Sequence, residues 1–213
     1  MQKSIVRRSW IVFLLMAIGP VPSAQAQLSD LDVSIYGGMI VPIGTFAEYF
    51  EAGPSFGLTI ARPVSERAGL FLDVGWDRLG RTQHAYVPYT NVFHYQVGAE
   101  VDAVASDMLS LRPYVRVGVS SFRSDDFQVV GRVPNWESLP WNFSHTYLSG
   151  TGGLRLVIEP GDGLTWFLNG EFGWSPIGEA DAEVLQRVSN EGFKLLSAAT
   201  TAALTAGFSF RTR

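Results

Sequence analysis

Apolar and polar residues alternate strictly along the last segment of the chain. Over residues 198–211 one set of alternate positions reads Ala198, Thr200, Ala202, Leu204, Ala206, Phe208, Phe210. The interleaved set reads Ala199, Thr201, Ala203, Thr205, Gly207, Ser209, Arg211. Side chains on a strand point to opposite faces with a period of two. The segment therefore predicts a strand with one greasy face and one small or polar face. Seven earlier segments follow the same rule: residues 32–41, 55–62, 69–78, 92–104, 110–122, 146–158 and 164–175. In the third, Leu70, Leu72, Val74 and Trp76 alternate with Phe71, Asp73, Gly75 and Asp77. In the fourth, Phe93, Tyr95, Val97, Ala99, Val101 and Ala103 alternate with His94, Gln96, Gly98, Glu100 and Asp102. Glycines make the sixth the weakest of the set.

Segments of about ten residues with this alternation are the pattern of a transmembrane β-barrel. The predicted fold class is all-β: a closed eight-stranded antiparallel up-and-down transmembrane β-barrel with short periplasmic turns and longer outer loops. A membrane forces closure, because a free sheet edge in hydrocarbon leaves backbone groups unpaired. The connections test this independently. Residues 63–68, 105–109 and 159–163 are short links, whereas 42–54, 79–91, 123–145 and 176–192 are long. They alternate, as outer-membrane barrels require.

The first 26 residues predict a secretory leader. Lys3, Arg7 and Arg8 precede an apolar stretch over residues 11–21 that is too short for the roughly 20 residues of a spanning helix, and Ala24-Gln25-Ala26 supplies small residues for cleavage. Cleavage is expected between Ala26 and Gln27, which leaves residues 27–213 as one barrel domain. The chain carries 16 basic and 20 acidic residues, a net charge of −4, and removal of the leader takes it to −7. An acidic mature chain argues against nucleic-acid binding, which needs a basic surface. With no cysteine there is no disulfide and no thiol nucleophile.

Orientation then distributes the special residues. Phe56, Trp76, Phe93, Tyr95, Phe172 and Trp174 fall near the outer end of the apolar face, and Trp166, Phe208 and Phe210 near the periplasmic end, as two aromatic girdles. On the opposite faces Asp73, Asp77, Glu100, Asp102, Arg112, Arg116, Arg155 and Glu171 point into the lumen. Buried ions must pair, and the 105–109 turn leads us to expect Asp102 beside Arg112 and Glu100 beside Arg116, within a single cluster in the periplasmic half. A filled, closed lumen is expected, since eight-stranded barrels have interiors just wide enough for side chains. The alternative is a narrow gated channel.

The leader, Ile35-Tyr36-Gly37-Gly38, Pro42-Ile43-Gly44-Thr45-Phe46, Leu111-Arg112-Pro113-Tyr114-Val115 and the terminal Ala206-Gly207-Phe208-Ser209-Phe210 resemble those of small bacterial outer-membrane β-barrels, the OmpA/OmpX-like proteins. The resemblance covers the mature chain and implies architecture rather than activity. It implies outer-membrane lipid as surroundings, and recognition of the terminal aromatic by the barrel-assembly machinery. Here Phe210 is followed by Arg211-Thr212-Arg213.

Candidate chemistry is sparse. His84, His94 and His145 show no metal-ligand spacing, so neither a metal nor a cofactor is expected. A lipid-modifying enzyme using Ser, His and an acid would draw on Ser144-His145 or His94, but adjacent residues on a strand point apart, so no enzyme is expected. Phe127, Trp136, Trp141 and Phe143 in the 123–145 loop offer a surface partner a place to dock. Residues 180–188 have the spacing of a short amphipathic helix, with Glu179, Asp181 and Glu183 as its solvated acidic face. The expected function is a monomeric outer-membrane protein with a structural or surface-interaction role. A soluble lipocalin-like binding barrel is the remaining alternative, and it would invert the two faces.

Overall fold

The computed structural model describes residues 31–81, 89–106, 108–124, 127–128, 140–141, 144–159, 164–178 and 196–211. Eight long strands make up the body: β1 (Asp32–Pro42), β2 (Gly53–Pro63), β3 (Ala68–Arg81), β4 (Thr90–Val101), β5 (Leu109–Ser124), β6 (Ser144–Ile158), β7 (Leu164–Pro176) and β8 (Ala198–Arg211). Each pairs antiparallel with the next, and β1 pairs with β8 from Asp32↔Arg211 to Pro42↔Thr201, which closes the sheet. Closure leaves no free edge. All short links lie at one end, the turn end, together with the start of β1 and the end of β8. The long links lie at the other, the loop end.

The strand positions follow the period-two pattern, with differences at the rims. β3 continues to Arg81, three residues beyond the predicted end, because the backbone ladder to β4 persists to Leu79↔Thr90 and the two-residue strand Phe50–Glu51 pairs beyond it. β4 stops at Val101 rather than at residue 104. There the Asp102 amide donates to the Arg67 carbonyl (2.8 Å), and Val104–Ala105 pairs with β5 alone. Two further short strands, Phe127–Gln128 and Pro140–Trp141, pair with each other as a separate ribbon.

The faces separate cleanly. Ile35, Met39, Leu58, Leu70, Leu72, Val74, Val97, Val115, Val117, Leu154, Leu168 and Leu204 are all exposed on the outside. Along the middle of the same strands, charged, hydroxyl and amide side chains are buried inside, among them Ser34, Thr59, Asp73, Glu100, Arg116, Arg155, Asn169 and Thr205. A water-soluble barrel has the reverse arrangement. The predicted girdle residues all point outward. Phe56, Trp76 and Phe93 share one lateral row near the loop end, with the first two rings stacked at 5.9 Å. Tyr95, Phe172 and Trp174 are exposed in the same half. At the turn end Trp166, Phe208 and Phe210 form a chain of edge-on contacts at 5.8 and 5.2 Å.

The link from β1 to β2 is more than a loop. Gly44 takes φ 61°, where glycine is free of the Cβ penalty. The chain then folds into a 3-10 turn, Gly44–Glu48. This lays Phe46, Tyr49 and Phe50 across the mouth of the barrel, and none of the three is more than 2 % exposed. They pack with Ile40, Leu79, Val92, Phe122, Ile177, Leu196 and Ala199 into an apolar cork. The segment is stapled to β8 by the Ile43 amide donating to the Thr200 carbonyl (2.9 Å) and the Thr200 hydroxyl donating to the Ile43 carbonyl (2.8 Å).

Candidate functional site: a charged lumen under an apolar cork

Below the cork lies a cavity of about 60 Å³, walled by Asp77, His94, Gln96, Arg116, Ser120, Ser149, Thr151, Glu171 and Thr201 with apolar groups of the cork above. Its polar walls and size suit a few water molecules. Asp77 Oδ1 and Arg116 Nε, on residues that border it, have no protein hydrogen-bond partner among the described residues.

Arg116 is the hub of the floor. Its Nη1 donates to Asp73 Oδ2 and its Nη2 to Glu171 Oε1, each at 2.7 Å. Both carboxylates are held again from the far side. Asp73 receives the Thr59 hydroxyl at 2.7 Å and the Tyr36 hydroxyl at 3.1 Å, and Glu171 receives the Tyr114 hydroxyl at 2.6 Å. His94 sits between two acids, with Nε2 3.1 Å from Asp73 Oδ2 and Nδ1 3.4 Å from Asp77 Oδ2. Charge-assisted bonds of this length are the stronger class, and the surrounding hydroxyls occupy lone pairs that a buried carboxylate would otherwise leave empty.

A second group lies nearer the turn end. Arg155 Nη1 donates to Glu100 Oε2 at 2.9 Å and its Nε to Asn169 Oδ1 at 3.0 Å, and Asn169 passes the chain on to the Thr205 hydroxyl at 3.2 Å. The Arg155 guanidinium lies over Phe167, Phe71 and Tyr114, with its central carbon 4.9, 5.9 and 5.6 Å from the ring centroids. Ring faces attract a desolvated cation. Arg112 Nε meets Asp102 Oδ1 at 2.5 Å, and Arg112 also approaches Glu100 (3.7 Å) and the more exposed Glu159 (3.4 Å).

The structure thus places all eight sequence-predicted lumen charges toward the interior, and it brings Asp102 to Arg112. Two expectations are corrected. Glu100 does not meet Arg116: the ladder sets Glu100 across from Tyr114 and Arg116 across from Gly98, so Glu100 binds Arg155 and Arg112 instead. Nor is there one cluster in the turn-end half. There are two ion groups, with the Tyr114 ring between them, because Arg116 and Asp73 sit higher in the barrel than the turn-end pairs.

Among the candidate catalytic groups, both ring nitrogens of His94 face carboxylates, which leaves none to deprotonate a serine. Ser144 and His145 are exposed at the loop end of β6. His84, Trp136, Phe143, Glu179, Asp181, Glu183, residues 180–188, and the leader with Ala26 and Gln27 lie outside the described residues. The cork was missed in the sequence. Its signal is a break of the inward pattern near the loop end, where Ile40, Leu79, Val92, Phe122 and Ala199 stand at positions otherwise given to polar side chains.

Solved structures share this architecture. Neisserial surface protein A superposes with a TM-score of 0.55 at 10% identity, covering 85% of this chain and 96% of that one. The fold here is that of the small bacterial outer-membrane β-barrels. A major outer membrane protein of Thermus thermophilus gives a TM-score of 0.51 at 11% identity, with 85% and 98% coverage. No family model matches the chain, and no curated protein matches it in sequence. The likeness to these outer-membrane β-barrels is one of fold alone.

Proposed function

We propose that this chain is an integral outer-membrane β-barrel with a structural or surface-interaction role and a lumen that is closed rather than conducting. The observation that carries the reading is the inverted arrangement of the faces. A continuous apolar exterior with aromatic rows at both ends surrounds buried, mutually paired ions. In water that exterior would associate without limit. In a bilayer it is the matched surface, with Trp and Tyr at the interfaces. Residues 1–26 act as the export signal in this reading, the short turns face the periplasm, and the assembly machinery reads the last strand through its outward Phe208 and Phe210.

Closure is supported from both sides. The cork covers the loop end with rings that are almost wholly buried, and the floor beneath is filled by guanidinium–carboxylate contacts. The shared fold with neisserial surface protein A and the Thermus outer membrane protein fits the location but does not supply the role. Cell fractionation, combined with gel mobility of unboiled and boiled samples, tests the location: the chain should sediment with outer membranes and migrate faster unboiled. Recovery in the soluble periplasm would refute it. Planar-bilayer recording tests closure, and reproducible conductance steps from the purified barrel would refute that part.

A further inference from the structure

The outer face carries one feature that a purely apolar belt does not need. One step beyond the Phe56–Trp76–Phe93 row, the β-ladder sets Arg78, Asn91, Arg123 and Ser144 side by side on four consecutive strands. All four belong to the outward-facing set, and Arg78, Arg123 and Ser144 are exposed. Neighbouring strands lie about 4.8 Å apart, so the two arginine backbones flank Asn91 at about 10 Å, within joint reach of one small anion. Both guanidiniums rest on aromatic rings. The Arg78 central carbon lies 4.8 Å from the Tyr89 centroid, and that of Arg123 lies 5.8 Å from the Phe93 centroid. Neither meets a carboxylate among the described residues.

Asn91 completes the donor set. Its Oδ1 accepts from Trp76 Nε1 at 3.1 Å. An indole N–H can only donate, so the amide oxygen is the accepting end, and the Asn91 NH2 group keeps its donors. The row therefore offers guanidinium, amide and hydroxyl donors with no acid among them, directly above a stacked aromatic shelf. Arginine favours phosphate through paired N–H donors.

We propose that this row is a binding site for the phosphate of an anionic lipid, whose acyl chains lie along Phe56 and Trp76. It rests on the outer-membrane reading, because only a bilayer puts a headgroup at this height. A lipid is favoured over a soluble phosphate compound because the donors continue an apolar, lipid-facing surface rather than line a pocket.

The test uses the refolded barrel in nanodiscs containing either diphosphorylated lipid A or the same lipid after phosphatase treatment. Native mass spectrometry counts the lipid retained. An arginine near a charged bilayer surface gives about a fivefold gain, so the wild type should prefer the phosphorylated form about 30-fold at low salt. R78Q/R123Q should bring that preference close to unity, whereas R62Q, at the turn end, should keep it. Retained preference in R78Q/R123Q, or none in the wild type, overturns the proposal. Displacement of lipid A by millimolar inorganic phosphate alone would mean an anion site indifferent to acyl chains, and overturns the lipid assignment. A wild type that fails to enter nanodiscs overturns the outer-membrane reading as well, which the unboiled gel mobility of the same sample shows separately.

Discussion

Arg116 is the residue whose removal should be felt most. Among the described residues it alone bridges Asp73 and Glu171, with one 2.7 Å charge-assisted bond to each. A hydrogen bond to a charged group contributes about 1.5–3 kcal/mol, so the two together set a scale of about 3–6 kcal/mol. Breaking a buried ion pair by removing one partner costs about 3–5 kcal/mol, most of it from the charge left behind. Arg116→Met keeps much of the volume and removes the cation. It should lower stability by about 4 kcal/mol, read as a shift in urea unfolding of the barrel in phospholipid vesicles, with tryptophan fluorescence and unboiled gel mobility as coincident probes. Because the penalty comes from stranded carboxylates, adding Asp73→Asn and Glu171→Gln should recover most of it, a coupling that a simple packing defect does not show. The exposed Arg211–Asp32 pair is the contrast: Arg211→Ala should cost less than about 1 kcal/mol. A loss below about 1 kcal/mol for Arg116→Met, or no recovery in the triple variant, would refute the idea that paired ions hold the lumen.

Other substitutions probe the remaining parts of the argument. Val97→Arg, in the middle of the exposed apolar band, should destabilise the barrel by about 2–4 kcal/mol if that face meets lipid; an exposed site on a soluble protein would change by no more than about 0.5 kcal/mol, so urea titration in vesicles distinguishes the two. Phe46→Ala removes a ring that is 1 % exposed at the centre of the cork. It should cost about 3–5 kcal/mol in the same titration, and an unchanged midpoint would mean that the mouth is not packed. Gly57→Ala and Gly75→Ala would drive a methyl into Tyr36 and His94 respectively, whereas Gly152 and Gly170 have open space around the added carbon. The first two should lose about 1–3 kcal/mol and the last two should show no loss by the overpacking route, compared by thermal shift of unboiled gel mobility.

The strands, their order and the side each one turns outward were legible in the residues, because period-two alternation is local and survives any tertiary arrangement. β8 spans residues 198–211 in both views, and β7 differs by a single residue. The long and short links fixed which ends lie together. The lumen charges were legible as a set too: an ion on a strand whose other face is greasy has only the interior left to it. Asp102 and Arg112 could be matched because the turn between them is short.

What the pattern does not hold is distance across the lumen. Arg116 meets Asp73 and Glu171 on non-neighbouring strands, and Arg155 reaches Glu100 past the same axis. Those partners depend on strand tilt and stagger, which belong to the closed barrel and to no single strand. The cork is the other case. Phe46, Tyr49 and Phe50 sit in a stretch with no strand alternation, and they pack against inward apolar residues on five different strands together with Ile177 and Leu196. Hydrophobic burial needs a partner surface, and that surface exists only once β1, β3, β4, β5 and β8 have come together. Sequence alone determined which residues face inward. Closure of the sheet decided which of them touch.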